Sequence, residues 1–285
     1  MNKKIAGIVW RLVIYGGILL FVVSFVPFLV YISPKRTVTE TSPAAYRLEY
    51  EDVILHTKDN MTLAAWFIPN KASDQALIVC HGYPMDKGDI FMVTTFLAKQ
   101  YNLLYFDFRA MGKSAGRIST SGWKEREDVL AAAAFLKTKG FQHIGAFGFS
   151  AGAAAVLMAN SPDITCIVSD SSYAALNDIL RIMFRISGPF QDMVTAMAKI
   201  YARIFLRMNT DDVAPVKYIS GMRIPILLIH CAQDTVIPAE EAKKLHEANP
   251  RTRLWLIPAG DHGESSYANA YEDTVIGFFN TCFGK

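Results

Sequence analysis

The chain of 285 residues carries 29 lysines and arginines against 26 aspartates and glutamates, a formal net charge of +3, and 52% of its residues are hydrophobic. Abundant apolar residues, ordinary glycine and proline content and four cysteines exclude a disordered chain, a collagen-like repeat and a disulfide scaffold. The basic residues are dispersed rather than gathered into a stripe with aromatics, so nucleic acid is not an expected partner.

The mean hydropathy of +0.21 is high, and its excess sits at the N-terminus. Residues 12–32 hold no charged side chain, and about 20 apolar residues suffice to span a bilayer core as a helix. Tyr15 and Tyr31 stand near the two ends, where amphipathic rings favour the interface, and Pro27 is tolerable near a helix end. One transmembrane helix is predicted over 12–32, within an N-terminal anchor of residues 1–32. A cleaved signal would have a shorter apolar run and a small-residue cleavage site, which Tyr31-Ile32-Ser33-Pro34 is not. Lys3, Lys4 and Arg11 precede the span, while Lys35, Arg36 and Arg47 follow it. The free amino terminus tips this count toward N-in, C-out, with the following domain extracytoplasmic.

Residues 33–45 are polar, contain two prolines and read as a linker. From Tyr46 onward, strand-like and helix-like runs alternate. YRLEYEDVILHT and MTLAAWFIP form an expected strand pair; QALIVCHG, NLLYFDF, HIGAFGFS, ITCIVSDSS, IPILLIHCAQD and RLWLIPAG read as buried strands. Helices are expected over 89–99, 123–137, 151–159, 239–248 and 266–279. This order implies an α/β fold with a mostly parallel sheet, right-handed crossovers and helices on both faces, filling one domain over 46–285. Residues 177–210 interrupt the rhythm with a helical insertion, in which Met193, Met197, Ile200, Ile204 and Met208 recur at helical spacing and basic residues outnumber acidic ones. Two readings stand together: a covering helix pair, and a lid over an acyl pocket whose basic face rests on anionic headgroups.

The sharpest chemical signal is Gly148-Phe149-Ser150-Ala151-Gly152, a G-x-S-x-G at a strand-to-helix junction. Such an elbow presents the serine hydroxyl on a strained turn, and Gly148 and Gly152 let neighbouring backbone approach closely. A serine hydroxyl needs a base within hydrogen-bond reach and a carboxylate to orient that base. Asp234, at the end of the strand PILLIHCAQD, and His262, after RLWLIP, supply both in the order Ser, Asp, His. Asp170, after ITCIVS, is the rival acid, while His56, His143, His230 and His246 lie within expected strands or a helix. The oxyanion of a tetrahedral intermediate needs two backbone N–H donors. Ala151 follows the nucleophile and supplies one; in the loop His81-Gly82-Tyr83-Pro84 the second falls to Tyr83, because Pro84 has no N–H. His81 is expected to brace that loop together with Gly82. Cys80, Cys166 and Cys231 lie in apolar runs and read as small buried hydrophobes, no zinc-type spacing occurs, and neither metal nor cofactor is expected.

Through HGYP, FDFRAMGKSAGR, GFSAG, HCAQDTVIP and GDHGE, the chain resembles the α/β-hydrolase superfamily from about Tyr46 to Gly284. It is most similar to the branch with monoacylglycerol-lipase-like and serine-aminopeptidase-like members, including single-pass anchored relatives. The resemblance implies an eight-stranded sheet with a helical cap and a Ser150, His262, Asp234 triad acting on an acyl carbonyl. The segment after NLLYFDF departs from the usual R-G-x-G-x-S: Ala110 follows Arg109, a substitution the turn accepts unless that position requires positive φ.

The expected function is that of a membrane-anchored serine hydrolase cleaving carboxylic esters, including lipid-like acyl esters. The alternatives are a thioesterase or proline-type serine peptidase and, in another class, a non-catalytic binding protein on a hydrolase scaffold. An aminopeptidase needs carboxylates for the substrate amine, and the cap region offers Asp178 and Asp192, with Asp211 and Asp212 beyond.

Overall fold

The computed structural model describes residues 3–285; Met1 and Asn2, and with them the amino terminus that tips the charge count, lie outside it. The first helix, α1, runs Lys3–Ile32, beginning well before the uncharged stretch, because helical geometry continues through its basic first turns. Over Gly7–Ile32 it is long and apolar enough to cross a membrane.

Eight strands follow: β1 Glu51–His56, β2 Thr62–Ile68, β3 Gln75–Cys80, β4 Asn102–Phe106, β5 His143–Phe149, β6 Ile164–Asp170, β7 Ile226–Cys231 and β8 Arg253–Ile257. They form one sheet in the order β1-β2-β4-β3-β5-β6-β7-β8, antiparallel for β1 with β2 and β2 with β4, and parallel from β4 to β8. Tyr46 closes a short 3₁₀ turn, Pro43–Tyr46, so β1 starts later than its apolar alternation implies.

The helices are α2 Lys87–Thr94, α3 Glu125–Thr138, α4 Ala151–Ala159, α5 Leu176–Met183, α6 Gln191–Phe205, α7 Pro215–Ile219, α8 Glu240–Ala248 and α9 Tyr271–Phe283. Strand alternation sorts β3: Ala76, Ile78 and Cys80 face a core shared with α3, α4, α7 and α8, whereas Leu77 and Val79 face one shared with α2 and α9. A strand buried on both faces must be apolar throughout, as β3 nearly is, and each fully buried aliphatic side chain contributes about 1.5–3 kcal/mol. The insertion is built of α5, a 3₁₀ section Phe184–Phe190 and α6. A third core cluster joins α1 through Phe28 and Ile32, α4 through Ala154 and Met158, and the insertion through Leu176, Leu180, Tyr201 and Ala202. Ser24 Oγ and Tyr201 Oη meet at 2.9 Å inside it.

Ala110 has φ +66°, in the left-handed region. The condition under which alanine would be poorly tolerated is therefore met, at a cost of about 1–2 kcal/mol for a residue with a Cβ. Ala110→Gly is expected to stabilise the chain by about 1 kcal/mol, read as a rise of about 2 °C in Tm; an unchanged or lower Tm would show that the surrounding turn already absorbs the strain.

Candidate active site

Parallel strands β5, β7 and β8 all end at the same edge of the sheet, and the loops beyond them converge. Ser150 sits between β5 and α4 with φ 54° and ψ −121°, a strained backbone held by its N–H donating to Asp170 C=O at 2.8 Å. The flanking glycines have distinct reasons. A Cβ on Gly148 would meet the Ala153 backbone at 2.6 Å, and one on Gly152 would run into the carbonyl oxygens of His81 and Cys80. The missing side chain at 152 thus allows the end of β3 to rest on the first turn of α4.

His262 Nε2 lies 3.0 Å from Ser150 Oγ, and its Nδ1 lies 2.7 Å from Asp234 Oδ2. With Nδ1–H donating to the carboxylate, Nε2 is left free to accept the serine proton. The second oxygen of Asp234 accepts the N–H groups of Val236 and Ile237 at 2.9 and 2.7 Å. Burial pushes the Asp234 carboxyl up, but hydrogen bonds from His230 and His262 and the Ile237 N–H outweigh it and hold the group well below the usual carboxylate range.

Asp170 does not reach this line. Its carboxylate accepts the hydroxyls of Ser171, Ser265 and Tyr271 at 2.9, 2.6 and 2.7 Å, and burial raises its pKa despite them. It anchors the loop after β8 to the end of β6.

Two residues that the sequence reading leaves without a role join the site. His230 is fully buried, with Nε2 at 2.7 Å from Ile237 C=O and 3.3 Å from Asp234 Oδ2, so it flanks the carboxylate from the strand side. Asp261 accepts the Thr235 and His262 N–H groups, both at 2.7 Å, tying the His262 loop to the Asp234 loop. Only its adjacency to His262 signals it in the sequence.

The loop after β3 forms the opposite wall. His81 is buried; its Nδ1 lies 2.7 Å from Gly82 C=O, and its Nε2 accepts the Phe108 N–H at 3.0 Å. Burial pushes this imidazole down, which keeps it neutral and suited to bracing. The Tyr83 N–H has no backbone acceptor among the described residues, and Ala151 opens α4, where first-turn N–H groups lack intrahelical partners. A cavity of about 80 Å³ adjoins the elbow and both loops, lined by Met85, Phe149, Asp170, Gly263, Ser265 and Tyr271. Among the described residues, no cluster of His, Cys, Asp or Glu is arranged to hold a metal ion.

No family model matches the sequence. The esterase Pf2001 of Pyrococcus furiosus is 30% identical, aligned over 88% of this chain and 97% of its own, with a TM-score of 0.74. An α/β hydrolase of Penicillium, GrgF, shares the fold at 17% identity and a TM-score of 0.65, over 84% of this chain and all of its own. An uncharacterized membrane protein of Saccharomyces cerevisiae is 21% identical over 83% of this chain and 82% of its own length. The strand order, the elbow at the end of β5 and the alignment of 88% of the chain with an esterase at 30% identity lead to one assignment: this chain belongs to the α/β-hydrolase superfamily.

Proposed function

We propose that the protein is a membrane-anchored serine hydrolase that cleaves carboxylic esters, lipid-like acyl esters among them, through an acyl-enzyme on Ser150. The observation that carries this reading is the continuous hydrogen-bonded line Asp234–His262–Ser150, with links of 2.7 and 3.0 Å. His262 takes the Ser150 proton as Oγ adds to the ester carbonyl, and the developing oxyanion meets the N–H groups of Ala151 and Tyr83. The imidazolium, stabilised by ionised Asp234, returns the proton to the departing alcohol. Water then adds to the acyl-enzyme with His262 as base, releasing the acid and restoring the serine.

Membrane anchoring rests on α1, whose outer face is apolar and exposed, with Trp10 and Val30 each about two-thirds exposed. That surface continues onto the insertion through exposed Ile186, Phe190, Ile204 and Phe205, beside exposed Arg185, Arg203 and Arg207. Apolar exposure on this scale fits a bilayer, with the arginines at the headgroups. On this reading the catalytic domain is extracytoplasmic: three basic residues flank the span on each side, and the amino terminus adds one charge before it.

The peptidase alternative loses support because three of the four candidate carboxylates for a substrate amine, all but Asp212, already lie in ion pairs. Asp178 meets Lys244 at 2.8 Å, Asp192 meets Arg181 at 3.2 Å and Asp211 meets Lys199 at 3.3 Å. A panel of p-nitrophenyl esters and thioesters of graded chain length, alongside proline-containing peptides, tests the reading on the full chain in carbonate-washed membranes. Ester hydrolysis retained in the washed membranes is expected to exceed peptide cleavage; faster peptide cleavage, or loss of the protein to the carbonate wash, would overturn the corresponding part.

A further inference from the structure

The last turn of a helix leaves carbonyl groups without intrahelical partners. At the end of α1 the catalytic domain supplies them. The Tyr83 hydroxyl donates to Tyr31 C=O at 2.5 Å, and the Ser119 N–H donates to Ile32 C=O at 2.8 Å. The Tyr31 and Tyr83 rings lie 5.4 Å apart, and the Ser121 hydroxyl reaches the Tyr31 hydroxyl at 3.2 Å.

The chain leaving α1 continues the attachment. Arg36 donates to the carbonyl oxygens of Gly112, Ser114 and Gly116 at 3.1, 2.6 and 2.5 Å. The Thr39 N–H donates to Asp86 Oδ2 at 2.6 Å and its hydroxyl to Asp89 Oδ1 at 3.0 Å. Asp86 and Asp89 are the two halves of the capping box that starts α2, so the polar stretch read as a linker holds the start of a core helix. Tyr83 and Asp86, at the two ends of the loop 83–86, are thus both tied to residues 31–39.

We infer that residues 31–39 position the oxyanion loop, with the Tyr83 side chain as the positioning group that sets where its own N–H stands. On this view α1 sets the catalytic rate as well as the location of the enzyme. The inference rests on the proposed function, since it presumes that the Tyr83 N–H receives the oxyanion. Burial pushes the Tyr83 phenol up to about 12, so it remains a hydroxyl donor at neutral pH. A displaced donor weakens binding of the oxyanion more than binding of the neutral ester, so the effect belongs in kcat rather than KM.

The test is Tyr83→Phe in the full chain, which keeps the ring against Tyr31 and removes only the donor. Active sites are counted by burst titration with a fluorophosphonate, so that kcat is expressed per reactive serine. With a short p-nitrophenyl ester, kcat per titrated site is expected to fall about 5- to 10-fold with KM unchanged. A merely structural role would lower the number of titrated sites and leave kcat per site at the wild-type value, and that result overturns the inference. Ser150→Ala run in parallel separates the two levels: an alanine variant that still hydrolyses the ester overturns the proposed function itself, whatever Tyr83→Phe does.

Discussion

Replacing Ser150 with alanine is expected to lower kcat for a p-nitrophenyl ester by at least about 10⁴-fold while leaving the chain folded. The side chain makes one hydrogen bond, to His262 Nε2 at 3.0 Å, and the elbow is held by backbone: Ser150 N–H to Asp170 C=O and close packing around Gly148 and Gly152. Losing one partly buried side-chain hydrogen bond changes stability by about 1 kcal/mol, small beside the loss of the nucleophile. The measurement is kcat with a thermal unfolding curve on the same preparation. Residual activity within tenfold of wild type on a folded variant would remove Ser150 from the mechanism.

The second large effect is expected from Asp234→Asn, a loss of about 10⁴-fold in kcat. An amide at this position still accepts the Val236 and Ile237 N–H groups through its oxygen, so the loop keeps its shape. Its NH₂ then faces His262 Nδ1, which must accept; the ring proton moves to Nε2, and the base toward Ser150 is lost. The same geometry sets the sign of the pH dependence. Because Asp234 is held well below the usual carboxylate range, it is ionised throughout any workable assay and does not itself shape the profile. A base must be unprotonated to take the Ser150 proton, so in the wild type kcat/KM should rise with pH and then level off. A profile that falls between acid and neutral pH, or Asp234→Asn with near-normal kcat, would contradict the assignment of base and orienting acid.

The parts of the site that were legible in the sequence are those whose signal is local. The elbow announces itself in five residues between an apolar strand and an alanine-rich helix, and Asp234 and His262 each stand in the loop that follows a strand. Position after a strand does not by itself choose between Asp170 and Asp234; the choice depends on which loop folds over the elbow. The structure shows Asp170 occupied by three hydroxyls and Asp234 beside His262. His230 reads as a mid-strand residue and turns out to flank Asp234, since a strand's inward side chains and the turn just beyond it come together only when the loop closes back.

Composition misleads more at the N-terminal boundary. The run SPKRTVTETSPAA is polar and proline-containing, the pattern of a linker, yet Arg36 and Thr39 fasten it to turns about 50 to 80 residues away in the chain. No periodicity encodes such long-range polar pairing. Ala110 shows the reverse case: an alanine where glycine is usual raised the question of positive φ, and only the backbone, at +66°, answers it. The sheet itself was legible because strands buried on both faces must be apolar throughout, as β3 and β7 are nearly without exception.

The most direct test of an acyl-transferring serine is to find the covalent bond. The full chain, treated with a fluorophosphonate and digested, should yield one adduct per molecule, on the peptide that contains residues 148–152 and at Ser150, with ester hydrolysis lost in proportion to labelling. Adduct formation at another residue, or full ester hydrolysis persisting after Ser150 is modified, would contradict the account.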